Sequence, residues 1–126
     1  MSGNRFLLDT NCIIELLQNN NKGLLNKLEN ANIVAVSIIS KIEFLAFPKI
    51  NESDKKLFSE FIKLIDVIDL RNIDQEIIDL TIEIRHTKNL KLPDSIILAT
   101  AKSMNAILLT RDKKLLKAYP SFVTVF

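Results

Sequence analysis

Short apolar runs alternate with longer stretches of helical period along the 126-residue chain. Five runs read as strands: Arg5 to Asp9 (RFLLD), Ile33 to Val36 (IVAV), Asp66 to Asp69 (DVID), Ala106 to Thr110 (AILLT) and Phe122 to Val125 (FVTV). Most are aliphatic or β-branched throughout, as strands covered on both faces are. Between them the period predicts helices over Thr10 to Gln18, Gly23 to Glu29, Ile39 to Phe47, Glu52 to Ile65, Asp74 to Lys88, Pro93 to Met104 and Lys113 to Lys117. Strands alternating with helices imply an α/β domain around a mostly parallel sheet.

The helices differ in how they distribute apolar residues. In Glu52 to Ile65 the stripe is Leu57, Phe58, Phe61, Ile62 and Ile65, and in Asp74 to Lys88 it is Ile77, Ile78, Thr81, Ile82 and the arm of Arg85. The helix opening at Pro93 carries SIILATA, apolar nearly all round, and should be the most buried. Pro48 separates the third and fourth helices, and Asn19, Asn20 and Asn21 form a polar turn between the first two.

Four acids stand where an apolar strand ends or early in a helix: Asp9, Glu43, Asp94 and Asp112. In open α/β sheets the crevice beyond the carboxyl ends of the strands is the usual ligand site. Each acid also has an ordinary structural role open to it. Asp9, Asp94 and Asp112 suit helix N-termini, and Ser40 to Glu43 reads as S-x-x-E, a capping box if a helix begins at Ser40. Gathered at one sheet edge, however, four carboxylates repel one another unless some are protonated or a cation lies between them. All-oxygen ligation points to a hard ion, Mg²⁺ or Mn²⁺, and so to metal-dependent phosphodiester hydrolysis. Thr10 and Asn11 are placed to cap the first helix or to support Asp9 through hydrogen bonds.

Four segments carry a resemblance: LLDTNCIIELL at Leu7 to Leu17, SIISKIEFL at Ser37 to Leu45, LKLPDSIILATAK at Leu90 to Lys102 and ILLTRDKKL at Ile107 to Leu115. In this order the chain resembles PIN-domain ribonucleases, and most of all the small VapC-type toxins of toxin–antitoxin pairs. The resemblance implies a three-layer α/β/α sandwich with a parallel sheet of four or five strands, in a single PIN-like domain over residues 1–126. It implies an acidic pocket for Mg²⁺ or Mn²⁺ made by Asp9, Glu43, Asp94 and Asp112, with Thr110 as the hydroxyl residue of the last block. Arg111 stands where many relatives carry Asn and puts a cation beside the pocket. No acid of the pattern is missing, which favours an enzyme over the alternative, a non-catalytic module of the same fold that binds RNA or a protein.

The mechanism the resemblance suggests has Asp9 and Asp94 holding the principal metal, while Glu43 and Asp112 ligate through water, complete a second site or orient the nucleophile. Attack by water would leave a 5′-phosphate and a 3′-hydroxyl. The implied partners are an RNA substrate, a cognate antitoxin and a second copy of the chain, with Gly23 to Glu29 and Glu52 to Ile65 as candidate surfaces for either protein partner.

Composition narrows the alternatives. A lone Cys12 and a lone His86 make neither a disulfide nor a zinc site, and two glycines are too few for a phosphate-cradling loop. Cys12 reads as a small buried hydrophobe and His86 as a helix-end residue. With no signal-peptide core or membrane-length apolar run, a cytoplasmic location is expected. Lys and Arg number 17 against 15 Asp and Glu. If four acids are drawn into a metal-loaded pocket, the other eleven face 17 cations, and the exterior becomes basic enough for a polyanion. Arg85, Arg111 and Lys113 are the named candidates for RNA contact, within the clusters Arg111, Lys113, Lys114, Lys117 and Arg85, Lys88, Lys91.

Overall fold

Strands without a polar face must be covered on both sides, and the chain meets that demand by returning helices over each face of one sheet. The computed structural model describes residues 4–69 and 74–126. Its elements run β1 (Arg5–Leu8), α1 (Thr10–Gln18), α2 (Lys22–Glu29), β2 (Ile33–Ser37), α3 (Ile38–Leu45), α4 (Glu52–Ile62), β3 (Asp66–Ile68), α5 (Gln75–Lys88), α6 (Leu92–Ser103), β4 (Ile107–Thr110), α7 (Lys113–Ala118) and β5 (Val123–Val125). The strands pair in the order β3-β2-β1-β4-β5, and every pairing is parallel.

Alternation along β1 divides the core in two. Leu7 points to one face, where it joins Ala35, Leu108 and Val123 under Ile77, Ile84, Ile97 and Leu98 of α5 and α6. Phe6 and Leu8 point to the other, joining Val36 and Leu109 under α1, α2, α3 and α4. The result is the expected three-layer sandwich. Phe44 and Phe58 stack with ring centroids 4.6 Å apart, which ties α3 to α4 across the Pro48 break.

Local signals set the helix ends. The side chain of Asn51 caps α4 reciprocally with Asp54, and Asn21 caps α2 by accepting from the Leu24 amide. Asn20, Asn89 and Asn105 take positive φ, the conformation asparagine tolerates best after glycine. The polar turn expected at residues 19–21 is therefore present and supplies both the end of α1 and the start of α2.

As expected, α6 is the most buried helix: Ser95 and every residue from Ile97 to Ala101 are buried. Two stripes differ from expectation. On α5 the buried residues are Ile77, Thr81 and Ile84, while Ile78 and Ile82 are exposed, and Arg85 is exposed as well. Isoleucines on both candidate faces of this helix satisfy a helical period, and packing against α6 selects the Ile84 face. On α4, Leu57 is exposed and Phe58 takes the core position. The helix ends at Ile62, so Ile65 packs on the core from the turn before β3.

The choice of face on α5 is measurable. Ile84→Ala should cost about 2 to 4 kcal/mol in urea denaturation, and Ile82→Ala less than about 1 kcal/mol. Equal costs would mean that the helix is rotated from the position described.

Candidate metal centre

Strand order determines where chemistry gathers. The chain builds outward from β1 through β2 to β3, then returns to place β4 on the other side of β1, so the order reverses between β1 and β4. Loops leaving two such strands diverge and open a crevice beyond their carboxyl ends. Leu8 pairs with Leu109, and the Asp9 amide extends the ladder by donating to the Leu109 carbonyl at 3.0 Å. Asp9 and the turn Thr110-Arg111-Asp112 thus emerge side by side, although about a hundred residues separate them.

Asp9 is 6% exposed, and each of its carboxylate oxygens accepts one hydrogen bond. Oδ1 accepts from the Thr10 amide at 2.8 Å, and Oδ2 from Thr110 Oγ1 at 2.7 Å. Thr110 Oγ1 in turn accepts from the Asp112 amide at 3.0 Å and from Asn11 Nδ2 at 3.3 Å, while Asn11 Oδ1 accepts from the Arg111 amide at 3.0 Å. One buried hydroxyl therefore joins both acidic turns. Asp112 caps α7 through a bond from the Lys114 amide to Oδ1 at 2.9 Å.

Glu43 reaches the group from α3. Ser37, not Ser40, caps that helix, so the S-x-x-E capping box does not form. Glu43 instead accepts from Thr10 Oγ1 at 2.8 Å. Ser40 is fully buried, and its Oγ has no hydrogen-bond partner among the described residues.

Asp94 sits in the first turn of α6, which has no side-chain cap. Its half-buried carboxylate makes no hydrogen bond or ion pair among the described residues. The capping role open to it in the sequence is not taken up.

These acids line one cleft of about 490 Å³, and they feel one another there. Burial first, then Glu43 and Asp112, holds the Asp9 carboxyl above its ordinary range, against the opposing bonds from Thr110 and Thr10. Burial, then Asp9, Asp112 and Glu43, does the same to Asp94, with Lys91 in opposition. Among the described residues no three acidic, His or Cys side chains stand close enough to enclose an ion. A hard ion that keeps several waters and takes one or two carboxylates fits this open arrangement. The donors fit too. All are oxygens, Asp94 makes no hydrogen bond among the described residues, and each Asp9 oxygen retains lone-pair capacity beyond its single hydrogen bond.

The sequence candidates divide clearly. Asp9, Glu43, Asp94, Asp112, Thr10 and Asn11 line the cleft, with Thr110 buried behind Asp9. The Arg111 guanidinium turns away from it. Its Nη2 pairs with Glu15 Oε2 at 2.7 Å, and its Cζ lies 5.0 Å from the centre of the Phe126 ring. Glu15 is 8% exposed and also accepts from Asn19 and Asn21, which together with Arg111 hold its carboxyl below the ordinary range, the Asn19 bond foremost. A signal for this pair exists in the sequence: Glu15 lies within the core-facing stripe of Cys12, Ile13 and Leu16, where a charge requires a partner. Arg85 bonds to the Leu90 carbonyl at 3.4 Å, and Lys113 does not line the cleft. His86 lies exposed in the last turn of α5, and burial pushes the Cys12 thiol far up, away from nucleophilic use.

Comparison with known proteins agrees with this architecture. Residues 6–120 match the family model of the PIN domain. No curated protein matches by sequence. Among solved structures, a chain of a toxin–antitoxin complex from Klebsiella pneumoniae is 29% identical over 94% of each chain, with a TM-score of 0.73. VapBC2 from Rickettsia felis, bound to a DNA fragment from its promoter, is 20% identical over 95% of this chain and 97% of that one, with a TM-score of 0.80. FitAcB from Neisseria gonorrhoeae is 25% identical over 96% of both, with a TM-score of 0.65. The chain belongs to the PIN domain family.

Proposed function

We propose that the protein is a Mg²⁺- or Mn²⁺-dependent endoribonuclease acting as the toxin of a toxin–antitoxin pair. One observation carries the reading: four acids from separate segments line one cleft at the switch point, and Asp9 and Asp94 are pushed toward protonation by burial and by the other acids. Asp9 and Asp94 would hold the ion, with Glu43 and Asp112 beside it. When bound, the ion offsets negative charge on the phosphate and makes water a better nucleophile.

The chain's own groups supply the orientation. Thr10 Oγ1 fixes Glu43 through Oε1, which leaves Oε2 available to take a proton from the attacking water. Thr110 Oγ1 fixes Asp9 and receives the amide that opens the Asp112 turn, so both acids keep their places before substrate arrives. Attack by water at phosphorus, with its proton passing to Glu43, breaks the P–O3′ bond; the departing 3′-oxygen takes a proton from solvent, leaving a 5′-phosphate and a 3′-hydroxyl. RNA as the substrate rests on the resemblance of the four sequence blocks.

The partners follow from similar support. The similar Klebsiella structure is a toxin–antitoxin complex. Here α1, α2 and α4 leave an apolar cleft of about 460 Å³ lined by Leu17, Leu25, Leu28, Phe61 and Leu64, suited to an antitoxin segment. Exposed Ile78, Ile82 and Leu92 form a second apolar surface between α5 and α6, suited to a second copy of the chain. Among the described residues no helix is long and apolar enough to cross a membrane.

Purified protein with Mn²⁺ should cleave structured RNA, and Asp9→Asn or Asp94→Asn should lower the rate by at least about a hundredfold. The fragments should carry 5′-phosphates. Fragments ending in 2′,3′-cyclic phosphate would contradict attack by water, and no cleavage despite metal binding would favour a non-catalytic module.

The raised Asp94 carboxyl also predicts a stability effect. A group whose folded pKa is raised binds its proton more tightly in the folded state, so metal-free stability falls as pH rises toward neutral. Asp94→Asn removes that penalty without breaking a side-chain hydrogen bond among the described residues. It should therefore raise the melting temperature in chelator at pH 7 by roughly 2 to 5 °C. A fall would mean that Asp94 stabilises the fold.

A further inference from the structure

Charge around the acidic cleft is one-sided. A second cleft of about 570 Å³ adjoins it and shares two of its lining residues, Asp94 and Asp112. Lys88 and Lys91, which flank the α5–α6 turn, and Lys114 and Lys117, one turn apart on α7, also line it. On the other side of the acids the walls are Ile14, Ala46, Phe47 and Pro48, and the cleft beyond Ile14 and Phe47 is lined by one lysine, Lys49, together with Asp54. Two segments distant in sequence thus contribute four lysines to one cleft that opens into the candidate metal centre.

None of these lysines makes a close ion pair among the described residues, whereas Lys55 and Lys63 on α4 pair with Glu52 and Glu60; Lys91 acts on Asp94 only through its field. Lys88 Nζ lies over the Tyr119 ring, 5.5 Å from its centroid, which leaves its charge uncancelled. Unpaired lysines at this density repel one another, and a polyanion relieves the repulsion. Of the two arginines that the sequence makes comparable, Arg111 is paired with Glu15, and Arg85 donates to the Leu90 carbonyl at 3.4 Å, which leaves its charge uncancelled too.

We propose that Lys88, Lys91, Lys114 and Lys117 form the wall that seats the phosphodiester backbone of RNA on one side of the scissile phosphate, leading the strand into the cleft of Asp9 and Asp94. The proposal rests on the nuclease reading and adds a direction to it. Backbone leaves the acids toward the α5–α6 turn and α7, where four lysines line the cleft, and not toward the Phe47 side, where the adjoining cleft has Lys49 with Asp54. Because phosphates are contacted and not bases, the wall governs affinity and its salt dependence but carries no sequence preference.

The experiment measures binding of the intact, metal-free protein to a fluorescein-labelled, unpaired 12-nucleotide RNA by anisotropy, from 50 to 300 mM KCl. Lys114→Gln with Lys117→Gln, and separately Lys88→Gln with Lys91→Gln, should each weaken binding about tenfold at 100 mM KCl. Each pair should flatten the slope of log K against log salt by roughly 1.4, about 0.7 per lost phosphate contact. Lys27→Gln with Lys56→Gln removes the same charge from α2 and α4 and should change binding less than about twofold, with circular dichroism verifying the fold of each protein. Equal effects from the cleft and control pairs, or no binding by the unaltered protein, would overturn the proposal. Metal-dependent cleavage is scored separately. Cleavage with equal slopes removes only the lysine wall, and a lysine-dependent slope without cleavage removes only the nuclease reading.

Discussion

The parallel pairing of β1 with β4 is the constraint on which the rest depends. It places Leu8 beside Leu109 in the middle of the sheet and brings the two following turns together where the strand order reverses. Asp9 and Thr110 then lie within a hydrogen bond of each other, at 2.7 Å. Around that bond the other acids are added from helices already required to cover the sheet: Glu43 from α3, Asp94 from α6 and Asp112 from the cap of α7. The site thus needs no element beyond those the core demands.

That economy concentrates like charge. The covering helices bury Asp9 almost completely and Asp94 in part, and both carboxyls are held above their ordinary range as a result. Elsewhere the protein neutralises a buried acid internally, since Glu15 receives Arg111, Asn19 and Asn21. At the cleft it does not, and Asp94 is left without a hydrogen bond or ion pair among the described residues. The contrast between the two sites within one chain supports the proposal that the cleft receives a cation from outside. The cost in stability is the kind that functional sites carry.

Much of this was legible in the sequence because it is local. Apolar runs marked the strands, the acids at their ends marked the crevice, and the buried helix announced itself in SIILATA. The order of motif blocks identified the family. What escaped was set by packing between distant segments. Isoleucines at Ile78, Ile82 and Ile84 allow two faces of α5, and only α6 chooses between them. Arg111 follows Thr110 and reads as a pocket cation, yet a carboxylate nearly a hundred residues earlier draws it away. Likewise Lys88, Lys91, Lys114 and Lys117 occupy two stretches with no sequence link, and their common cleft exists only once α7 is docked.

Whether the gathered acids hold a hard divalent ion, as proposed, is decided by anomalous diffraction from crystals soaked in Mn²⁺ at neutral pH. A strong peak is expected in the cleft between Asp9 and Asp94, at direct coordination distance of about 2 Å from a carboxylate oxygen of each. An empty cleft at saturating Mn²⁺, or an ion bound elsewhere without contact to Asp9, would contradict the proposal.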